Sequence, residues 1–513
     1  MRTEEKANVK NGVVKMLASL LALVIQVGWI VLLFVRLNEY SATISLLTSL
    51  LAFLLAVRIS GMRDNAAFKL SWIILIMAFP LLGLCLYLLF GRSGTTRRTR
   101  KRFEAIDGKL RPFQQQRPEP MQALEALDPL FASQCRYIYR YGHYPLCQNT
   151  DVVFYSEAAD GLEAQLEDLA GAEQFIFMEY HAIQEGVAFA RLKAVLADRV
   201  AHGVEVRMFY DEVGSVGFID RGFIRRMEEI GVQCRVFNPV VPVLKPFMNN
   251  RDHRKITVID GRIGYTGGYN LADEYFGITT PFGHWKDTGI RLTGDAVQSL
   301  TLMFLEMWNA MEDTDASYTR YLPEVTCQAS QPGFVQPYAD SPLDDEYMGE
   351  NIYLNLIQSA KRYLYIATPY LIISDEMNRA LCLAAQRGVD VRILTPGIPD
   401  KKLVYRMTRS YYAGLVCRGV RIYEYTPGFP HEKQVLCDGV AATVGTINFD
   451  FRSLYHHFEN GVLLYGCPAI QDIEADFRET FLVSQEVTEQ YQTGLNAMVR
   501  VTQCLFRLFG PLM

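Results

Sequence analysis

Three things are missing from this chain, and each absence removes a class of function. Its ten cysteines include no Cys-x₂-Cys pair, which excludes a zinc knuckle or a dithiol redox motif. No group of histidine, aspartate and glutamate has the spacing of a metal site, so neither a metal nor another cofactor is expected. Charge of one sign is also lacking: 51 basic residues face 56 acidic ones, a net charge of −5. That balance excludes a globally basic, nucleic-acid-coating protein. The cysteines themselves sit in apolar contexts, as Cys234 and Cys437 do, and read as small core residues in a reducing compartment.

Apolar residues, by contrast, are plentiful. They make up 50% of the 513 positions, and the excess is concentrated in the first ninety. Val13 to Val35 is long enough to cross a bilayer at about 1.5 Å per residue. Ser41 to Val57 is a shorter uncharged run, and Leu70 to Phe90 a third, interrupted by Pro80. No small-residue cleavage site follows the first run before Arg36, which weighs against a cleaved signal peptide. Two or three transmembrane helices are therefore expected in residues 1–91, with the middle run alternatively half of a re-entrant hairpin. Counting lysine and arginine leaves seven on each side, so charge alone does not orient the segment. The cluster Arg92, Arg97, Arg98, Arg100, Lys101, Arg102 favours the domain that follows lying on the cytoplasmic side of the plasma membrane, near anionic lipid.

Beyond a basic connector at 92–120, the chain alternates apolar strand-like runs with amphipathic stretches, the pattern of an α/β domain. Phe175 to Met178 reads as a strand, Ala188 to His202 as a helix stopped by Gly203, and Val204 to Phe209 and Val232 to Phe237 as further strands. The order recurs at Tyr363 to Ala367, Met377 to Arg387, Gly388 to Leu394 and Gly419 to Tyr425. A period of about 180 residues is too long for a solenoid and indicates a duplicated domain. The halves are predicted at 121–326 and 333–485, joined by the turn-rich stretch Thr326 to Gly333, with a C-terminal helix at 486–513. Two homologous lobes facing each other across a pseudo-two-fold axis would bring distant residues together.

The chemistry lies in a repeated motif, His-x-Lys-x₄-Asp. It occurs as His253, Lys255, Asp260 and again as His431, Lys433, Asp438, followed at matching distances by Asn270 and Asn448. One copy is weak evidence, but two with matched sequels indicate one composite site. On a strand, a spacing of two puts each histidine and its lysine on the same face. Two histidines can divide phosphodiester chemistry, one attacking phosphorus and the other passing protons to and from oxygen. The lysines can contact the phosphate oxygens and the asparagines add neutral donors. Asp260 and Asp438, at an odd offset from lysine, point toward the other face and read as orienting or structural.

The motif resembles that of the phospholipase D superfamily, and its surroundings resemble bacterial cardiolipin synthases. The similarity is carried by Asn249 to Lys255, Thr266 to Asn270, Trp285 to Thr288, Pro337 to Pro342, Val444 to Asn448 and Phe458 to Asn460. It runs from about Leu70 to the end, with one departure at Gly289, where many relatives carry histidine. The resemblance implies two phospholipase D-like lobes, mixed β-sheets flanked by helices. It also implies that Asp287 and Glu459 bond the second imidazole nitrogens, and it favours His253 as nucleophile. The implied reaction joins two phosphatidylglycerol molecules into cardiolipin and glycerol, with anionic phospholipids and the membrane as partners. A hydrolytic phospholipase D, a superfamily nuclease and an inactive membrane scaffold are the alternatives. The apolar loop Val240 to Met248 and the basic, aromatic stretch Asp400 to Leu415 suit an interfacial substrate.

Overall fold

The computed structural model describes residues 42–62, 65–91, 97–239, 250–324, 328–344 and 346–492, with isolated positions in 21–35 and 503–510. The first apolar run, Val13 to Val35, lies mostly outside the described residues, and the loop Val240 to Met248 entirely so.

The first half contributes strands β1 (Thr150–Tyr155), β2 (Phe175–Tyr180), β3 (Glu205–Asp211), β4 (Gln233–Phe237), β5 (Arg251–Asp252), β6 (Lys255–Ile259), β7 (Ile263–Gly267), β8 (His284–Lys286) and β9 (Gly289–Gly294). The second contributes β10 (Phe334–Asp340), β11 (Tyr363–Ala367), β12 (Leu371–Ile372), β13 (Asp390–Pro396), β14 (Arg421–Tyr425), β15 (Gly428–Pro430), β16 (Gln434–Cys437), β17 (Ala441–Gly445), β18 (Phe449–Asp450), β19 (His457–Tyr465) and β20 (Ser484–Glu486).

The two main sheets share one topology. The first runs β1-β9-β7-β6-β2-β3-β4, and the second runs β10-β19-β17-β16-β11-β13-β14 before adding β20 at its edge. In both, the three central-to-edge strands pair in parallel and the remainder antiparallel. The sequence explains this division. Strands such as Phe175–Tyr180, buried along their whole length, are apolar runs without alternation, as expected where helices cover both faces. The helix Val187–Ala201 ends before Gly203, which adopts φ +88°, and Gly388 takes φ +94° at the same place in the repeat. Both are left-handed turns that glycine enters without strain.

The membrane segment departs from expectation. Among the described residues, no helix is long and apolar enough to cross a membrane. Ser41 to Val57 lies largely within helix α1 (Ala42–Ser60), but Leu70 to Phe90 is split between α2 (Ala66–Ala78) and α3 (Pro80–Phe90). The reason is Pro80, which has no N–H to continue the ladder and restricts the residue before it. Phe79 accordingly leaves helical geometry at φ −135°, ψ 77°. The third run is thus a helical hairpin. It folds tightly, since a Cβ on Gly83 would lie 2.5 Å from the Ile76 Cα. Ala52, Ile59, Trp72, Ile76 and Tyr87 bury against one another between the three helices.

The basic connector forms helix α4 (Arg97–Leu110), which buries Phe103, Ile106 and Leu110 and leaves its charges outward. The helix Pro129–Gly142, expected with the first half, packs on the second. Gln134 donates to Ser359 Oγ at 2.5 Å, and Tyr465 donates to Asp128 at 3.0 Å. Residues 484–486 pair as β20 with β14, so the predicted C-terminal helix does not begin at 486. Most of that tail lies outside the described residues, but Arg507 donates to the Ser410 carbonyl, and Ser71 Oγ to the Leu508 carbonyl at 2.7 Å.

Candidate active site

Each motif copy opens just before a strand and closes on a tight hairpin, β6–β7 and β16–β17. The turns are Asp260-Gly261 and Asp438-Gly439, all four residues at positive φ (52°, 66°, 54° and 70°). Asp-Gly suits such a turn because aspartate tolerates the left-handed region and glycine prefers it. The two carboxylates then hold the chain beside them. Asp260 accepts from the backbone N–H groups of Glu173, Gln174 and Phe175 at 2.7–2.8 Å. Asp438 accepts from those of Lys361, Arg362 and Tyr363 at 2.7–2.9 Å. The motif aspartates therefore anchor the start of β2 and β11 and do not touch the histidines.

The histidines meet across the halves, by an exchange of strands. β5, just before His253, pairs in parallel with the start of β19, and β15, just before His431, pairs in parallel with β8. The His253 N–H donates to Phe458 O at 2.9 Å, and the His431 N–H to Lys286 O at 2.7 Å. The residue after each acceptor is the orienting acid. His253 Nδ1 lies 2.9 Å from both oxygens of Glu459, and His431 Nδ1 lies 2.7 Å from Asp287 Oδ2. The pairing is crossed: each half supplies the carboxylate for the other half's histidine. Bonding Nδ1 leaves Nε2 of both rings for chemistry.

Lys255 and Lys433 are buried beside the histidines they follow. Lys255 donates to His253 O at 2.7 Å, while Lys433 donates to His431 O and also lies 2.7 Å from His431 Nδ1. Burial pushes the two ammonium groups down, to about 8 and about 7. It likewise raises Asp287 to about 7 and Glu459 to about 8. Both imidazoles are held well below their ordinary range by burial and then by the two lysines. Cations packed around neutral imidazoles form a receptor for an anion, which would restore the lysine charges.

The asparagines are placed differently. Asn270 accepts from Ala182 N–H at 3.1 Å and donates to Tyr275 Oη at 2.8 Å, which commits that donation to the fold. Asn448 is buried with an unpartnered Oδ1. Gly268 is required by contact, because a Cβ there would lie 2.0 Å from Asp287 Oδ1. In the second copy the corresponding residue is Thr446, whose hydroxyl donates to Glu459 at 2.5 Å.

Several residues absent from the motif reading flank the site and make it asymmetric. His253 is edge-on to His181 at 4.9 Å and lies 6.0 Å from His457. His431 is enclosed by aromatic rings: Tyr275 at 5.3 Å, Trp285 at 5.4 Å and Phe429 at 5.9 Å. Composition held a signal for the first group, since the chain has only eight histidines and three gather here. Tyr275 and Phe429 carried none.

The second half, residues 353–481, matches the family model described as cardiolipin synthase, PLD-like domain, and residues 50–92 match one described as phospholipase D-nuclease N-terminal. A cardiolipin synthase of Geobacillus kaustophilus is 35% identical over 91% of this chain and 93% of its own length. Cardiolipin synthase 2 of Bacillus cereus is 33% identical over 90% of both. The chain belongs to the cardiolipin synthase family. Membership makes it a phosphatidyltransferase. An uncharacterized protein of Streptococcus mutans is also similar, 38% identical over 86% of this chain and 96% of its own. Among solved structures, phosphatidylserine synthase of Haemophilus influenzae shares the fold, with TM-score 0.55 and 12% identity over 74% of this chain and all of that one. The Gly289 departure also has a structural cause in this family member. A Cβ at Gly289 would lie 2.5 Å from the Tyr269 ring, as one at Gly461 would lie 2.6 Å from that of Tyr338. Tyr269 occupies the space a side chain at 289 would need.

Proposed function

We propose that the chain transfers a phosphatidyl group from one phosphatidylglycerol to the terminal hydroxyl of another, through a phosphohistidine. The crossed pairing His253–Glu459 and His431–Asp287 carries this reading, because it presents two differently held imidazoles to one anion. Glu459 accepts from His253 Nδ1 and leaves the Nε2 lone pair to attack phosphorus. Asp287, at 2.7 Å from His431 Nδ1, together with the charge of the bound phosphate, favours the doubly protonated imidazolium of His431, the form that can give a proton from Nε2.

In the first step the His253 Nε2–P bond forms and the P–O bond to glycerol breaks, while His431 Nε2 gives its proton to the departing oxygen. In the second, the acceptor hydroxyl gives its proton to His431 and attacks phosphorus. The P–N bond breaks, and both histidines return to their starting state. Lys255 and Lys433 offset the charge that develops on the phosphoryl oxygens. The two sheets of matched topology are read as lobes about a pseudo-two-fold axis that passes between the histidines.

Membrane association supports the lipid substrate. Helix α1 leaves Leu46, Leu47, Leu50, Leu51, Phe53, Leu54 and Val57 more than half exposed, a contiguous apolar surface suited to lipid. The shorter hairpin α2–α3 is read as re-entrant.

The test is product analysis of the purified full-length protein in phosphatidylglycerol micelles with chelator present. Cardiolipin and glycerol are expected, with neither formed by His253→Ala or His431→Ala. Phosphatidic acid as the sole product would make the chain a hydrolase. Trapped phosphoenzyme on His431 would reverse the two histidine roles.

A further inference from the structure

The stretch Asp400 to Leu415 stood out in the sequence as basic and aromatic, but the fold uses most of it for packing. It is a helix over Lys402–Val416. Arg409 is held by Glu424 through two bonds, at 2.9 and 2.6 Å, and Tyr411 and Tyr412 are buried. Lys401, at the helix's entry, is different. Its side chain is 63% exposed and shares Asp400 at 3.6 Å. Its ammonium lies 3.2 Å from Tyr370 Oη and 5.1 Å from that ring's centre. Tyr370 packs on Phe429 at 6.3 Å, and Phe429 stacks on His431 at 5.9 Å. Lys401 therefore stands at the outer end of the aromatic wall behind His431. Its charge reaches inward, and it contributes to holding down the protonation of both His253 and His431.

Among the described residues, no cation follows the matching strand of the other half so closely. β13 is followed within a few residues by Lys401 and Lys402, whereas β3 is followed by Glu212-Val213-Gly214-Ser215-Val216-Gly217-Phe218-Ile219. A Cβ on Gly214 would lie 2.2 Å from His181 O, so that loop closes against the site with bare backbone.

The reaction itself is asymmetric in the same sense. Two lipids take part, each with one phosphate. The paired His-Lys residues receive the phosphate that reacts. The acceptor's own phosphate stays intact, one glycerol away from the attacking hydroxyl, and carries a negative charge to the mouth of the site. We infer that Lys401 binds the intact phosphate of the acceptor lipid and so selects a phosphorylated alcohol over water or a neutral alcohol. The inference rests on the transferase reading above. The neighbours of Lys401 fit a membrane interface: Ile398 and Leu403 are 39% and 47% exposed, beside exposed Lys402 and Arg406. Aliphatic side chains and cations together suit the headgroup region of an anionic bilayer.

A competition assay tests this. Full-length protein is given phosphatidylglycerol micelles with ethanol, so that cardiolipin reports the phosphorylated acceptor, phosphatidylethanol the neutral one and phosphatidic acid water. Lys401→Gln is expected to lower the ratio of cardiolipin to phosphatidylethanol by about tenfold or more, the worth of one charge-assisted hydrogen bond. Lys401→Arg is expected to keep most of it. An unchanged ratio in Lys401→Gln would overturn the inference, and so would a fall in both products together, which would place Lys401 on the common step. Absence of cardiolipin from the unaltered protein would remove the transferase reading and the inference with it.

Discussion

At the scale of single residues, the site is a set of unequal twins. Glu459 and Asp287 do the same work for His253 and His431, yet one is longer, accepts from Thr446 and lies beside histidines, while the other stands among aromatic rings. Removing either carboxylate's charge misplaces a proton on the imidazole it holds. Glu459→Gln and Asp287→Asn are each expected to lower kcat by about 10³-fold with intact folding, comparable to loss of the orienting acid in a hydrolase triad; a loss under tenfold would demote the crossed pairing. The lysines are expected to set the alkaline limit. An ammonium is charged below its pKa, and burial holds Lys255 at about 8 and Lys433 at about 7. Affinity for the anionic lipid should therefore weaken as pH rises through 7 to 8. Bound phosphate raises both values, so the alkaline limb of kcat should lie above that of kcat/KM. Superimposable limbs would count against lysines acting on phosphate.

At the scale of elements, the Asp-Gly hairpins do most of the positioning. Asp260 and Asp438 complete the repeated motif, but each spends its carboxylate on three backbone N–H groups at the head of the neighbouring strand. Asp260→Ala loses those acceptors and adds strain at φ 52°, for an expected cost of about 3 kcal/mol. The measurement is chemical denaturation paired with turnover per folded molecule, which should change little. Loss of turnover without loss of stability would return the aspartate to the chemistry. Gly268→Ala should do the reverse, because its Cβ meets Asp287. Thermal unfolding should shift modestly while activity falls at least about 100-fold. Each element carries one task.

At the scale of the molecule, strand exchange makes the site indivisible. β5 pairs with β19 and β15 with β8, so neither half holds its histidine without the other. Mixing His253→Ala with His431→Ala protein is expected to restore no cardiolipin formation, since every chain then lacks one histidine of its own site. Recovery would show halves exchanged between chains. The N-terminal hairpin is tied to the same assembly. Asn65 donates to Tyr455 Oη at 3.0 Å, and Phe68 packs on His456 at 6.1 Å, next to His457 and the strand that carries Glu459.

Much of this was readable in the chain itself. The repeat and the strands at Phe175 to Met178 and Tyr363 to Ala367 follow from local pattern, because strand burial is decided over a few residues. The shared strand face expected of each His-Lys pair does not appear, since the strands begin only at Lys255 and Gln434. The Asp-Gly dipeptides were also present and announce their hairpins. Local sequence could not show that the helix Pro129–Gly142 reaches the second half, or that each acid serves the opposite histidine. Those outcomes depend on contacts between residues a hundred or more positions apart. The sequence alone determined that two matched His-x-Lys copies stand at corresponding places of a repeat, since a duplicated pattern folds the same way twice. Only the tertiary structure decided their partners, because the pairing of β5 with β19 and β15 with β8 brings each acid within hydrogen-bond reach of the other half's ring.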